Sequence, residues 1–156
     1  LDLLANAGQP GNWWGLVTDT GKPDGEPVIQ TSVQPFPGYY VSATTYERRG
    51  FSRTDPDRYL DSERVKFIVV PSHWRKEARG VVLGCKALVR DLRTGNSTFA
   101  VVGDLGPRHK AGEGSIALAQ YFGVPWSPRT GGTAERRFVY TFWPDIEMDG
   151  FTLQPM

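Results

Sequence analysis

Two carboxylates stand where acid/base chemistry could use them. Asp104 follows the apolar run 99–102 (Phe-Ala-Val-Val), and Glu113 comes nine residues later (113 − 104), just before the apolar segment 116–122. Two carboxyls held at a fixed separation, one protonated and one ionised, are what hydrolysis of a glycosidic bond asks for. The same residues also have a plainer use. An Asp hydrogen-bonds its own turn, and a Glu sits well near a helix N-terminus. Spacing alone leaves both open.

The elements that must hold the pair are legible nearby. Residues 99–102 predict a buried strand ending at Asp104, and Gly106-Pro107 predict a turn. Residues 108–112 then form a short polar loop that delivers Glu113. Ser115 is a good N-cap for a helix over 116–122, with Gly123 at its C-terminal end and Pro125 beyond. A strand end and a helix start are rigid platforms for two functional groups at either end of one loop.

The wording of this stretch carries a resemblance. Val101-Val102-Gly103-Asp104-Leu105-Gly106-Pro107, followed by Gly112-Glu113-Gly114-Ser115 and a small-residue helix ending Phe122-Gly123, resembles the core of the fungal-type chitosanases, glycoside hydrolase family 75. The resemblance extends upstream through 59–71 and back to 37–42, about two thirds of the chain. It implies that Asp104 and Glu113 are the two essential carboxylates of an inverting endo-chitosanase. A likeness to double-psi glycosidases makes the acidic residue before the helix, Glu113, the acid and Asp104 the base, while the helix N-terminus, which favours an ionised Glu113, leaves the reverse order as the alternative. More remotely, strand, Asp-x-Gly-Pro loop, acidic residue and short helix look like a double-psi β-barrel. That fold also carries lytic transglycosylases and non-catalytic expansin-like domains. The implied architecture is mainly β: a single six-stranded double-psi-like β-barrel with one or two short helices. By the same resemblance Tyr46 borders the substrate groove, and an ordinary tyrosine at a strand end is the alternative. Asp61 is a third candidate for contacting substrate, with a turn cap as its alternative. A chitosan or related amino-sugar substrate implies a secreted, extracellular protein, because cells cannot import the polymer.

Composition bounds these expectations. A length of 156 residues suits one catalytic domain over 1–156, with a lead-in over 1–12 and an irregular tail over 144–156. Hydrophobic content of 39% with 12% aromatics excludes a disordered chain. Eighteen glycines, twelve prolines and short apolar runs favour a β-rich fold. Cys85 is the single cysteine, so no internal disulfide can form, and its apolar neighbours read as core. The net charge of +1 gives no sign of nucleic-acid binding, while a chitosan cleft should be locally acidic. No apolar run is long enough to span a membrane. Neither His73 nor His109 has a second His or Cys at ligand spacing, so no metal and no cofactor are expected. A monomer is expected. The start at Leu1 reads as a processed end from which an export signal has gone.

Taken in order, residues 13–18, 28–33 and 38–46 predict strands. The pair Trp13-Trp14 suits either a sugar platform or the cover of a barrel end. Glu47, next to Tyr46, could contact substrate or be neutralised by Arg48 and Arg49. Asp55-Pro56 predicts a turn or short helix start. Residues 65–70 predict a strand stopped by Pro71, and 73–76 a basic aromatic loop. Residues 81–92 and 97–102 predict a hairpin about the turn 93–96, with Gly95 at positive φ. Residues 137–143 predict a closing strand. Two rival functions remain. One is a chitin- or peptidoglycan-cleaving glycosidase or lytic transglycosylase; the other is a polysaccharide-binding barrel without hydrolysis.

Overall fold

The computed structural model describes residues 7–74 and 80–155. Half of the expected lead-in over 1–12 and part of the basic loop at 73–76 lie outside the described residues. The chain divides into two compact units, Leu1–Leu60 and Asp61–Met156. Among the described residues the architecture is mainly β with almost no helix, as the glycine- and proline-rich composition predicts.

The C-terminal unit is one open mixed sheet. Its strands are β1 (Phe67–Pro71), β2 (Cys85–Asp91), β3 (Ser97–Gly106), β4 (Glu113–Gly114) and β5 (Phe138–Glu147). Their spatial order is β4-β1-β3-β2-β5. β1 and β3 run parallel, and the other neighbours are antiparallel. The expected β2–β3 hairpin forms, and its turn uses Gly95 at φ 78° with the Gly95 amide donating to the Asp91 carbonyl at 2.8 Å. Glycine takes that left-handed conformation without a steric penalty. One face of β1, β2 and β3 supplies Ile68, Val70, Ala87, Val89, Ala100 and Val102, all fully buried. Each such aliphatic side chain larger than alanine contributes about 1.5–3 kcal/mol by leaving water.

β1 starts at Phe67 and includes the Pro71 expected to stop it. Three further boundaries differ from expectation, each for a local reason. β3 continues through Asp104 to Gly106, because parallel pairing with β1 satisfies its backbone as far as Pro107. β5 runs on past Pro144 to Glu147: its register with β2 shifts between Cys85 and Lys86, and a proline is tolerated at such an irregularity. The tail beyond it returns to bridge Leu83 through Gln154. β2 in turn starts at Cys85 and not at 81. Gly84 has φ 87°, and a Cβ there would lie 2.0 Å from the Thr152 carbonyl oxygen.

The described residues of the N-terminal unit form no ladder. The three expected strands reduce to isolated bridges, Leu16↔Ser42, Thr18↔Pro27 and Ile29↔Tyr40. The backbone bonds still close a ring. Val17 donates to Val41 (2.9 Å), Val41 to Val28 (2.9 Å) and Val28 to Val17 (2.8 Å). Each segment pairs with both others over a few residues, and Pro23, Pro27, Pro35 and Pro37 remove amide donors that a longer ladder would need. The turn expected at Asp55-Pro56 is a single 3-10 turn over Pro56–Arg58, capped by the Asp55 carboxylate, which accepts from the Asp57 amide at 2.9 Å.

Candidate active site

Register brings Asp104 and Glu113 together. Val69, on β1, is the cross-strand partner of both: Asp104 on its parallel side and Glu113 on its antiparallel side. Laterally paired residues point to the same face of a sheet. The two carboxylates therefore stand on one face with a single valine between them. Two strand spacings put their Cα atoms about 9.5 Å apart.

That arrangement depends on an irregularity. Ile68 pairs with Val102, but the next residue, Val69, pairs with Asp104, so Gly103 is an extra residue on β3. Simple alternation would give Asp104 the face of Val102, the one that carries Ile68, Val70, Ala87 and Val89. The bulge turns it to the other one, as bulges do beside functional sites. Gly106, two residues on, shares the new face. A Cβ there would lie 3.0 Å from Val69 Cγ1 and 3.1 Å from Glu113 Oε2. So the Glu113 carboxylate leans over β1 toward β3, across the space that Gly106 leaves open.

Glu113 is not the loop residue that spacing suggests. It forms a two-residue edge strand with Gly114, and Ser115 anchors that strand. The Ser115 hydroxyl accepts from the Leu118 amide at 3.2 Å, capping α1 (Ile116–Tyr121), and from the Phe67 amide at 3.1 Å. The Ser115 amide donates to the Phe67 carbonyl at 2.9 Å. One residue thus ties helix, β4 and β1 together next to Glu113.

Charge around the pair is mixed. The Asp104 carboxylate accepts from the Leu105 amide at 2.8 Å. The Lys110 ammonium donates to Glu113 Oε1 and forms an ion pair with it, a partner the sequence reading passed over although i,i+3 spacing in a short loop allows it. Arg108 and His109, both exposed, stand beside Lys110 in the chain. The locally acidic setting expected for a polycationic substrate is therefore offset by the loop's own cations.

A cavity of about 1210 Å³ has Glu113 and Lys110 in its lining, with Trp74, Trp126, Phe138 and Tyr140. Tyr140 pairs with Val89 and Phe138 with Asp91, so these two aromatics lie on the face of the buried core. The carboxylates lie on the opposite face. The loop carrying Trp126 is tightly built: Gly131 donates to the Ser127 carbonyl at 2.7 Å and Gly132 to the Pro125 carbonyl at 2.6 Å. We attach the chemistry to the carboxylate face and not to this cavity, because Glu113 Oε2 lies toward Gly106.

The structure places the other candidates as follows. The Tyr46 ring is buried at 4% exposure in the N-terminal unit, where the Thr44 hydroxyl donates to the Tyr46 carbonyl at 2.8 Å. Asp61 accepts from the Glu63 amide at 2.9 Å and pairs with Arg64 at 3.5 Å, which is the capping role. Asp61 also raises the Glu63 carboxyl pKa, second to the effect of burial. Glu47 is held by Arg58. Trp13 packs on Tyr40 with ring centroids 5.9 Å apart, as a covering residue would, while Trp14 is exposed.

The most buried carboxylate escaped the sequence reading. Asp91 has no exposed surface; it accepts from the Arg93 amide (3.0 Å), the Thr94 hydroxyl (3.0 Å) and the Arg137 guanidinium (3.0 Å). Burial pushes its pKa up, but these donors outweigh burial and hold it below the ordinary value. Glu135 is also held low, first by its bond from Arg137 and then by Arg93. With every oxygen engaged by the β2–β3 turn and β5, Asp91 is a structural carboxylate. Among the described residues, no group of three or more His, Cys, Asp or Glu is placed to hold a metal ion, and no helix is long and apolar enough to cross a membrane.

No protein-family model matches this chain, and no curated protein matches it.

Proposed function

We propose that the protein is an endo-acting chitosanase that hydrolyses β-1,4 bonds with inversion, using Asp104 and Glu113. The observation that carries this is the shared partner: both carboxylates flank Val69 on one face of the sheet. From Cα atoms about 9.5 Å apart, short side chains reach carboxyl separations of about 6.5–9.5 Å, the range that leaves room for a water in an inverting reaction. Asp104, on the inner strand β3, takes the proton of the attacking water. Glu113, on the edge strand β4, protonates the glycosidic oxygen as the bond to the anomeric carbon breaks. Lys110 must leave the Glu113 carboxylate for that to happen.

The finer fold reading belongs to the same proposal. A six-stranded double-psi-like barrel would contain the parallel β1–β3 pair and the strand, Asp-x-Gly-Pro, Glu, helix order found here. Secretion, a monomeric state and the chitosan substrate rest on the family resemblance. One observation favours a second reading. Arg108 and Lys110 beside the carboxylates suit neutral or carboxylate-bearing glycans, as in chitin or peptidoglycan.

Reducing-end release from chitosan, chitin and peptidoglycan decides among them. Release from chitosan that disappears in a folded Glu113→Gln variant supports the proposal. Release from chitin or peptidoglycan alone supports the second reading. Binding without release by the wild-type chain overturns hydrolysis altogether.

A further inference from the structure

We infer that Gly106 is a positioning residue for the acid: its missing side chain is the seat of Glu113 Oε2, and that seat fixes how far the acid oxygen stands from Asp104. The inference rests on the chitosanase reading above and adds the residue that aims its proton donor. Gly106 is extended strand, paired with Pro71, and is not among the chain's glycines at positive φ. Gly112, at φ 99°, has a backbone reason to be glycine; Gly106 has none. Pro107 confines its predecessor to extended backbone, which any residue adopts. Glycine inside a strand weakens it, and its presence there marks a close approach by another group.

Two groups approach. A Cβ at position 106 would lie 3.0 Å from Val69 Cγ1 and 3.1 Å from Glu113 Oε2. Both are closer than ordinary van der Waals contact, so a neighbour must give. The two are unequal. Val69 is β-branched and stiff at χ1, on a strand paired on both sides. Glu113 stands on a two-residue edge strand with its side chain 34% exposed. A methyl group at 106 therefore displaces the carboxylate and leaves the valine. Asp104 and Gly106 are two residues apart on one strand, so they share a face at a spacing of about 6.6 Å. The seat thus holds the acid oxygen near the short end of the separation that inversion needs, about 6.5–9.5 Å. A misplacement of about 1 Å at such a site costs about 10²-fold in rate.

The leaving group separates this role from a merely structural one. Chitosan needs its glycosidic oxygen protonated as the bond breaks. A dinitrophenyl glycoside of a glucosamine oligomer expels a weakly basic phenolate that needs no proton, while water activation by Asp104 is still required. Gly106→Ala should lower kcat on chitosan by about 10²-fold and leave kcat on the aryl glycoside nearly unchanged. Equal losses on the two substrates, or no loss on chitosan, overturn the inference. Val69→Ala removes the other close neighbour and keeps the test open if Gly106→Ala alone does not fold. Relative to Val69→Ala, the double variant should lose as much on chitosan as Gly106→Ala does relative to wild type. A loss that vanishes in that background comes from strain in the strand and overturns the inference. If the wild type cleaves neither substrate, the chitosanase reading fails by itself. A crystal structure of Gly106→Ala then still decides the seat. Glu113 swung away from position 106 with Val69 in place supports it; Val69 displaced with Glu113 unmoved overturns it.

Discussion

The two units solve the same backbone problem in different ways. In the C-terminal unit, five strands satisfy one another in a continuous ladder, and side chains are placed by register. In the N-terminal unit, three short segments close a ring of three amide bonds, and scattered backbone bonds and side chains complete the rest. There the Thr44 hydroxyl bonds both the Tyr46 carbonyl (2.8 Å) and the Leu60 amide (3.1 Å). The difference teaches where precise chemistry can be built. A ladder carries position across strands, so one valine can align two carboxylates from residues nine apart. A ring of isolated bridges holds a chain together but sets no such row.

The largest expected effects break the row itself. Glu113→Gln and Asp104→Asn should each cut hydrolysis by about 10²–10⁴-fold, the range for a general acid or base, with unfolding unchanged by circular dichroism. Asp104→Gly should recover part of its rate with azide, yielding an inverted glycosyl azide; recovery at Glu113→Gly in its place reverses the two roles. Deleting Gly103 removes the extra residue but makes Asp104 the immediate neighbour of Val102, so simple alternation keeps it on the face of Val69. The deletion variant should keep far more activity than Asp104→Asn, and a loss as deep as that of Asp104→Asn would show that the bulge itself is needed.

Next come changes to what supports each unit. Ile68→Ala removes a fully buried side chain from the ladder and should cost about 2–5 kcal/mol in denaturant unfolding. Thr44→Val removes two bonds from a buried hydroxyl and should cost about 1–3 kcal/mol. Amide exchange can compare the two designs directly. The Val17, Val28 and Val41 amides should be the slow ones of the N-terminal unit; uniform rates across that unit would remove the ring as its organising feature.

The smallest effect is electrostatic. Asp91 and Glu135 both have carboxyl pKa values lowered in the folded chain. A lowered value means stabilisation that is complete above the unfolded-state pKa, about 4, and is lost as pH falls through the folded-state values. Melting temperature of the C-terminal unit should thus drop below about pH 4. Arg137→Gln, which removes a guanidinium shared by both, should flatten that drop while lowering stability at neutral pH. An unchanged acid limb would show that other carboxylates govern it.

Much of this protein follows from local pattern. The apolar run at 99–102, the cap at Ser115 and the turn at 93–96 each express short-range chemistry, so strand, helix and hairpin were legible from composition and spacing. So were the two carboxylates, because an Asp after an apolar run and a Glu before a helix are local features. Other things were decided only by partners distant in the chain. The extension of β3 through Asp104 exists because β1 pairs with it, and the facing of Asp104 exists because Gly103 has no partner in that register. Lys110 finds Glu113 through a turn whose outcome depends on β4 docking to β1, and Asp91 finds Arg137 from 46 residues away. Sequence determines which backbone conformations each stretch prefers; it does not state which strand lies next to which. Register and partner are settled by burying one face of the sheet, a property that no single stretch of the chain possesses.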